Sequence, residues 1–359
     1  MSKLYSSLIS IVLSFLIVAV ILQLAGLYPL EFIASLVRGA TGINILEGTF
    51  SVRYIGTFIV TVVPILLTGI SVSFAFKTGL FNIGAEGQFI VGSLTAVFLG
   101  LSLDLPPVIF PIVIIIASGL VGGLWGAIPG FLKAFRNVHE VVICIMLNYI
   151  AMYTANLYYT NVEGFKNAKT PSISENATLK STMLESLTDN SRLNWGILIA
   201  IIALVIYYIL INKSTLGYKL KVIGFNHEAA KYSGINVKSG MVQSMAISGA
   251  FSGIGGAILV LGTFYYGREL SVFENYGFDG LSVALVGGGN AIGILFASLL
   301  FATLTVSKSI MQIYGIPIQI ASLISGIIVF FISLSLITDE KMEKRRLKKK
   351  YAIEKKEDK

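Results

Sequence analysis

Residues 105–132 read LPPVIFPIVIIIASGLVGGLWGAIPGFL, a run of 28 residues without a charged side chain. A helix needs about 20 apolar residues to cross a bilayer, so this run is long enough to span one. Outward from it, charges bound eight further neutral windows: 4–30, 54–76, 87–103, 141–162, 193–212, 239–267, 280–307 and 309–338. The window 280–307 is broken by Gly287-Gly288-Gly289-Asn290. It reads as two crossings or as a broken or re-entrant pair near 277–307. The expectation is an all-α, polytopic transmembrane bundle with about ten membrane segments. A β-barrel would show short alternating strands, and these unbroken apolar runs do not alternate.

Composition agrees. Apolar residues make up 55% of the 359-residue chain and charged residues 13%, about half the share of a soluble domain, and the mean hydropathy is +0.81. Too little polar surface remains to coat a soluble globule. One cysteine, Cys144, excludes an internal disulfide, and with only two histidines (His139, His227) a His/Cys metal site has no ligands. No cofactor is expected. The net charge of +8 is explained by membrane topology rather than by nucleic acid.

Basic residues favour the cytoplasmic side of a membrane. Threading ten crossings with 213–238 and the tail 338–359 inside puts 19 of the 27 Lys and Arg residues inside. Both termini are then cytoplasmic, with 161–192 an external loop. Residues 1–26 read as an uncleaved first helix, because Leu8–Leu24 is longer than a signal peptide's apolar core. The domains expected are a transmembrane domain over 1–337 and a basic cytoplasmic tail over 338–359 that touches anionic lipid.

Small residues four apart let helix backbones approach closely. Gly119/Gly123, Gly122/Gly126/Gly130, Gly249/Gly253 and Gly289/Gly293 have that spacing. Packing within the chain is the favoured reading, with a dimer contact as the alternative. The stretch 77–88 is polar and glycine-rich between two apolar windows. It carries Asn82, Glu86 and Gln88 among Gly79, Gly84 and Gly87. Two readings stand: an interfacial loop, or a broken helix lining a path, since non-helical backbone at membrane depth needs cover from protein or water. Glu140, Cys144 and Asn148 share a helical face, and Asn148 is read first as an interhelical hydrogen bond and second as a solute-facing amide. His139-Glu140 would open a zinc motif, but residue 143 is isoleucine. In 213–238, Asn226 reads as an N-cap and Gly234 as a helix stop around a two-turn helix carrying Glu228, Ala229 and Ala230. Small residues on an exposed helix suit insertion into a partner's groove. No phosphate loop, nucleophile elbow or kinase motif is present. The chain is not expected to be an enzyme.

In combination, four stretches resemble one family: Phe81-Asn-Ile-Gly-Ala-Glu-Gly-Gln88, Asn137-Val-His-Glu-Val141 with Met146-Leu-Asn-Tyr-Ile150, Gly224-Phe-Asn-His-Glu-Ala-Ala-Lys-Tyr-Ser-Gly-Ile-Asn-Val237, and Ala284-Leu-Val-Gly-Gly-Gly-Asn290. They look like the permease subunit of bacterial ABC importers for nucleosides and simple sugars, related to ribose and branched-chain amino-acid permeases. The resemblance runs from about 50 to 337. It implies an ATP-binding cassette subunit, a second, different permease and an external substrate-binding lipoprotein as partners, in the bacterial plasma membrane. It implies that 224–237, with Gly224, Asn226, Glu228, Ala229, Ala230 and Gly234, meets the ATPase, and that 79–88 lies near the path. Asn82, Glu86, Gln88 and Asn148 are the polar candidates for that path. An ion-coupled secondary transporter is the alternative. It is disfavoured because such carriers place ionisable groups inside their spans, whereas Glu86, Glu140 and Asp279 fall at segment ends.

Overall fold

A computed structural model describes residues 2–320 together with 322–324, 326, 327, 330, 331 and 334. The tail 338–359 and the end of the segment expected over 309–338 lie outside the described residues. The α-helices delimited among the described residues are α1 (Ser2–Leu24), α2 (Pro29–Thr41), α3 (Val52–Phe76), α4 (Ala85–Ser102), α5 (Ile109–Arg136), α6 (Glu140–Asn161), α7 (Thr182–Leu187), α8 (Gly196–Lys213), α9 (Thr215–Phe225), α10 (His227–Tyr232), α11 (Val237–Leu259), α12 (Tyr276–Val286) and α13 (Ala291–Ile313). Among the described residues, strands are limited to Ile43–Asn44 and Thr49–Phe50. Among the described residues, seven helices are long and apolar enough to cross a bilayer. The chain is an all-α polytopic bundle.

It divides into two units: residues 1–39, 43–49 and 307–359, and residues 40–42 with 50–306. In the first, Phe15 of α1 meets Phe32 of α2, and the Ser307 hydroxyl donates to the Ser35 carbonyl at 3.0 Å. Helix α2 was not expected, although its signals are plain. Pro29 opens it, Glu31 lies in its first turn and Arg38 in its last, as the helix dipole favours. The helix α13 also differs from expectation. It runs through Lys308 to Ile313, where Gly315 at a φ of 76° ends the turn; a single charge near a helix end does not stop a helix.

The second unit is built on a glycine seam. A side-chain carbon placed on Gly122 would lie 2.6 Å from the Gly249 carbonyl oxygen, and one on Gly253 would strike the Ser118 carbonyl. One on Gly92 of α4 would strike Gly253. Three helices, α4, α5 and α11, therefore meet backbone to backbone, and the seam glycines are spent within the chain. Gly289 and Gly293 are not part of such a seam: Gly289 sits in a turn at φ 69° and Gly293 packs on the Gly287 carbonyl.

Contacts sort the loops into two ends. At one, Gly224 at the end of α9 lies on the Lys77 carbonyl, and the Lys77 side chain lies against Gly289. Burial, and secondarily the charge of Lys221, lower the pKa of Lys77. At the other end, the loop after α6 is knitted to the segment after α11: Thr170 donates to Gly267, Ile173 to Tyr265 and Leu179 to Leu261. The helix α12 spans only part of the bundle. Its 11 residues extend about 16 Å, with its start against Thr68 and its glycine turn near Lys77. The expected break near 277–307 is thus a half-helix preceded by non-helical chain, then the full helix α13.

Candidate functional site

The stretch 77–84 starts at a surface, where Gly79 is exposed, and turns inward. It climbs inside the bundle, so that α4 begins deep, and its polar groups form a closed knot. The Asn82 amide donates to Gln88 Oε1 at 2.9 Å and to Ser248 Oγ at 2.7 Å, and Gln88 Nε2 returns a bond to Asn82 Oδ1 at 3.2 Å. Asn148 accepts from the Gly87 N–H at 2.8 Å and donates to the Ile83 carbonyl at 3.1 Å. Ser248 donates to the Ser71 carbonyl, Ser252 to the Ala85 carbonyl, and Thr78 bonds Ser244. All of these side chains are buried. Gly87 is obligatory here: an added carbon would lie 2.7 Å from Asn148 Oδ1.

Glu86 sits in the first turn of α4, where the helix dipole favours a carboxylate, and it is 0% exposed. One oxygen accepts the Asn275 N–H at 2.9 Å and the other the Gly277 N–H at 2.6 Å. These are orphan donors at the start of α12. Asn275 lies just before that helix but turns its own amide to the Phe273 carbonyl. Glu86 therefore caps α12 from another helix. The four residues expected to line a path are brought together, with their hydrogen-bonding atoms directed at protein partners.

The short helix α10 has the expected ends. Asn226 Oδ1 accepts from Glu228 N and Ala229 N at 2.9 and 3.1 Å, and Gly234 takes a φ of 74° while Ile235 N donates back to the Ala230 carbonyl. Its outward face carries His227, Glu228, Ala229 and Tyr232, with Phe225 beside them. Ala230 is not on that face. It is fully buried against Ala75, Leu80, Cys144, Ile223 and Met241, so the expectation that it enters a partner's groove is corrected. A two-turn helix lying on the bundle must bury one stripe, and Ala230 is that stripe. Gly224 is exposed, yet a side-chain carbon on it would strike the Lys77 carbonyl and lie 3.2 Å from Gly79 N. Helix α10 is thereby seated on the same loop that leads to Glu86.

The family described as the permease component of branched-chain amino acid transport systems matches residues 54–333. The chain belongs to that family. The permease is 41% identical over 336 residues to the guanosine ABC transporter permease protein NupP of Bacillus subtilis, covering 93% of this chain and 94% of that one. It is 37% identical over 355 residues to the nucleoside ABC transporter permease protein NupB of Lactococcus lactis, covering 96% and 94%. The glucose ABC transporter permease protein TsgB13 of Haloferax volcanii is 28% identical over 321 residues, covering 86% and 82%. No solved structure matches it.

In the permease, sequence reasoning missed the chain between α11 and α12. Helix α11 ends in a π-helical turn, Val260–Phe264, followed by Tyr265 at a φ of 64°. Arg268 then pairs with Glu274 at 2.7 Å and stacks on Phe264 at 4.0 Å. Beside this pair lies a cavity of about 20 Å³, bordered by Ser93, Tyr159 and Leu270, room for about one water molecule. The second Glu274 oxygen is buried without a protein partner. The signal was available in the run Gly267-Arg-Glu-Leu-Ser-Val-Phe-Glu-Asn275, too polar to be helix yet flanked by apolar windows. Its charges end the neutral window 239–267, so it reads as a connection between windows.

Proposed function

We propose that the chain is the membrane-spanning permease subunit of an ATP-driven importer that carries nucleosides across the bacterial plasma membrane. The observation that carries this reading is the likeness to NupP and NupB along nearly the whole length of both relatives. The ATP-binding cassette subunit is a partner, since the chain itself holds no phosphate loop. A second, different permease and an external substrate-binding lipoprotein complete the assembly, and lipid surrounds it. Both termini and 213–238 are cytoplasmic, with 161–192 outside, as the basic residues favour. The membrane domain is 1–337, and 338–359 is a basic tail on the inner leaflet.

In this arrangement Glu86 serves the path from behind, by holding the chain that precedes α12, and Asn82, Gln88 and Asn148 fix the stretch 82–88 that carries Glu86. The outward face of α10 meets the ATPase. Two arginine substitutions separate contact from packing. Ala229→Arg is expected to leave a folded, inserted permease whose uptake falls tenfold or more, because a long cation enters a packed groove. Ala230→Arg is expected to deplete the folded protein, because the charge enters an apolar cluster. Membrane-fraction immunoblots beside uptake assays distinguish the two; equal behaviour of the variants sinks the assignment of faces.

The function itself is tested by uptake of labelled guanosine in a host lacking its own nucleoside permeases, with the neighbouring transporter genes co-expressed. Saturable uptake competed by other nucleosides and not by glucose is expected. Glucose uptake without nucleoside uptake would refute the reading.

A further inference from the structure

The chain entering α12 runs at the side of the bundle, and three contacts set its depth. Leu270 is paired with the Asn156 amide through bonds of 2.9 and 2.8 Å. The Phe273 ring lies 4.9 Å from the Tyr149 ring, and Asn275 N–H reaches Glu86. With a rise of about 1.5 Å per residue along α6, Asn156 lies about 24 Å and Tyr149 about 14 Å from the start of that helix. The helix is itself about 33 Å long. Leu270–Asn275 therefore occupies the depth at which a bilayer is hydrocarbon.

It is not helical, and it is only partly covered. Ser271 and Asn275 are exposed, and Val272 is 74% exposed. Among the described residues, the N–H groups of Ser271, Val272, Phe273 and Glu274 have no acceptor in the protein. Such backbone is tolerated in a membrane only against protein or water. Beside it, Tyr149 and Tyr153 of α6 present exposed rings 6.4 Å apart and inclined by 24°. Other outward faces are mainly aliphatic along much of their length. On α5 the exposed residues include the aliphatic Ile112, Ile116, Leu120 and Leu124, and on α8 the aliphatic Ile201, Ile202, Val205 and Ile209, beside Tyr208. Those aliphatic faces suit lipid.

We infer that Leu270–Asn275, together with Tyr149 and Tyr153, lines the water-filled solute path of this permease, and that the tyrosine pair is a stacking surface for a heteroaromatic base. Water satisfies the open N–H groups when the path is empty. A passing base offers ring nitrogens and carbonyls to the same donors while its face lies on an aromatic ring, an interaction tolerant of base identity. The second half of the inference rests on the nucleoside reading; the first half does not.

The test uses the whole transporter in cells turning over ATP, with Cys144→Ser as background. Val272→Cys and Ser271→Cys are expected to react with a membrane-impermeant, cationic methanethiosulfonate. Leu120→Cys is not. Excess guanosine is expected to slow the reaction at 272 fivefold or more. A cysteine at 272 and at 271 that reacts only with a lipid-soluble maleimide would overturn the path. So would one that forms a disulfide with the second permease and stays closed to the aqueous reagent throughout turnover. For stacking, Tyr149→Phe is expected to retain guanosine uptake and Tyr149→Ala to lose it tenfold; equal uptake by the two variants would overturn that assignment. Failure of the unmodified transporter to take up any nucleoside, with 272 still open to the aqueous reagent, would refute the nucleoside reading and the stacking role while upholding the path.

Discussion

Gly253→Leu is expected to eliminate folded permease from the membrane. The residue lies where α11 meets both α5 and α4. Its added carbon would strike the Ser118 carbonyl and come within 3.1 Å of Gly122, and the Gly253 backbone itself is what a carbon on Gly92 would meet. Every obstacle is main chain, so no rotamer change relieves it. Between helices in lipid, close packing is a principal source of affinity, because the hydrophobic effect gives little. Separating three helices should therefore cost more than the roughly 3 kcal/mol of an ordinary overpacked core site. Gly119→Ala is the matched control. Its carbon meets the Ile254 side chain at 3.1 and 3.3 Å, which can yield. Fluorescence-detected size exclusion in mild detergent reads both. A monodisperse Gly253→Leu peak with an unchanged melting midpoint would show that the seam does not hold the bundle.

What the sequence disclosed, and what it hid, follows from which interactions are local. Neutral windows located the long helices because crossing length is a property of a single segment. The same rule misplaced the last boundary, since Lys308 is tolerated inside α13. Cap residues at Asn226 and Gly234 were legible for the same local reason. Which face of α10 is buried was not, because that depends on Leu80, Ile223 and Met241, which are remote in the chain or on other elements. The polar candidates at 82, 86, 88 and 148 were found as residues too costly to strand in a membrane. Their partners were invisible, because Ser248 and Gly277 lie more than 150 positions from the residues they bind. The path-side chain, Leu270–Asn275, was hidden by its own polarity, which at a membrane edge and in a water-filled path looks alike in sequence.

Glu86 offers the sharpest distinction between a residue that touches solute and one that places those that do. Both of its oxygens are occupied by N–H groups at the start of α12. Glu86→Ala leaves the Gly277 donor buried and unpaired, at roughly 1–3 kcal/mol, takes the acceptor from the Asn275 N–H, and also opens a void. Glu86→Gln is nearly isosteric but offers one accepting oxygen and sets an N–H donor against the other N–H. The expected order of melting midpoints is therefore wild type, then Gln, then Ala. Uptake should fall in the same order, tenfold or more for Ala, because Asn275 is the anchored end of the chain that borders the path. Measuring KM and the melting midpoint together separates the roles. If Glu86 bound the solute directly, Gln would shift KM and leave the midpoint alone. If it caps α12, Gln lowers the midpoint, and the surviving protein keeps its KM while its maximal rate falls. An unchanged midpoint in both variants would free Glu86 from the cap and return it to the list of solute contacts.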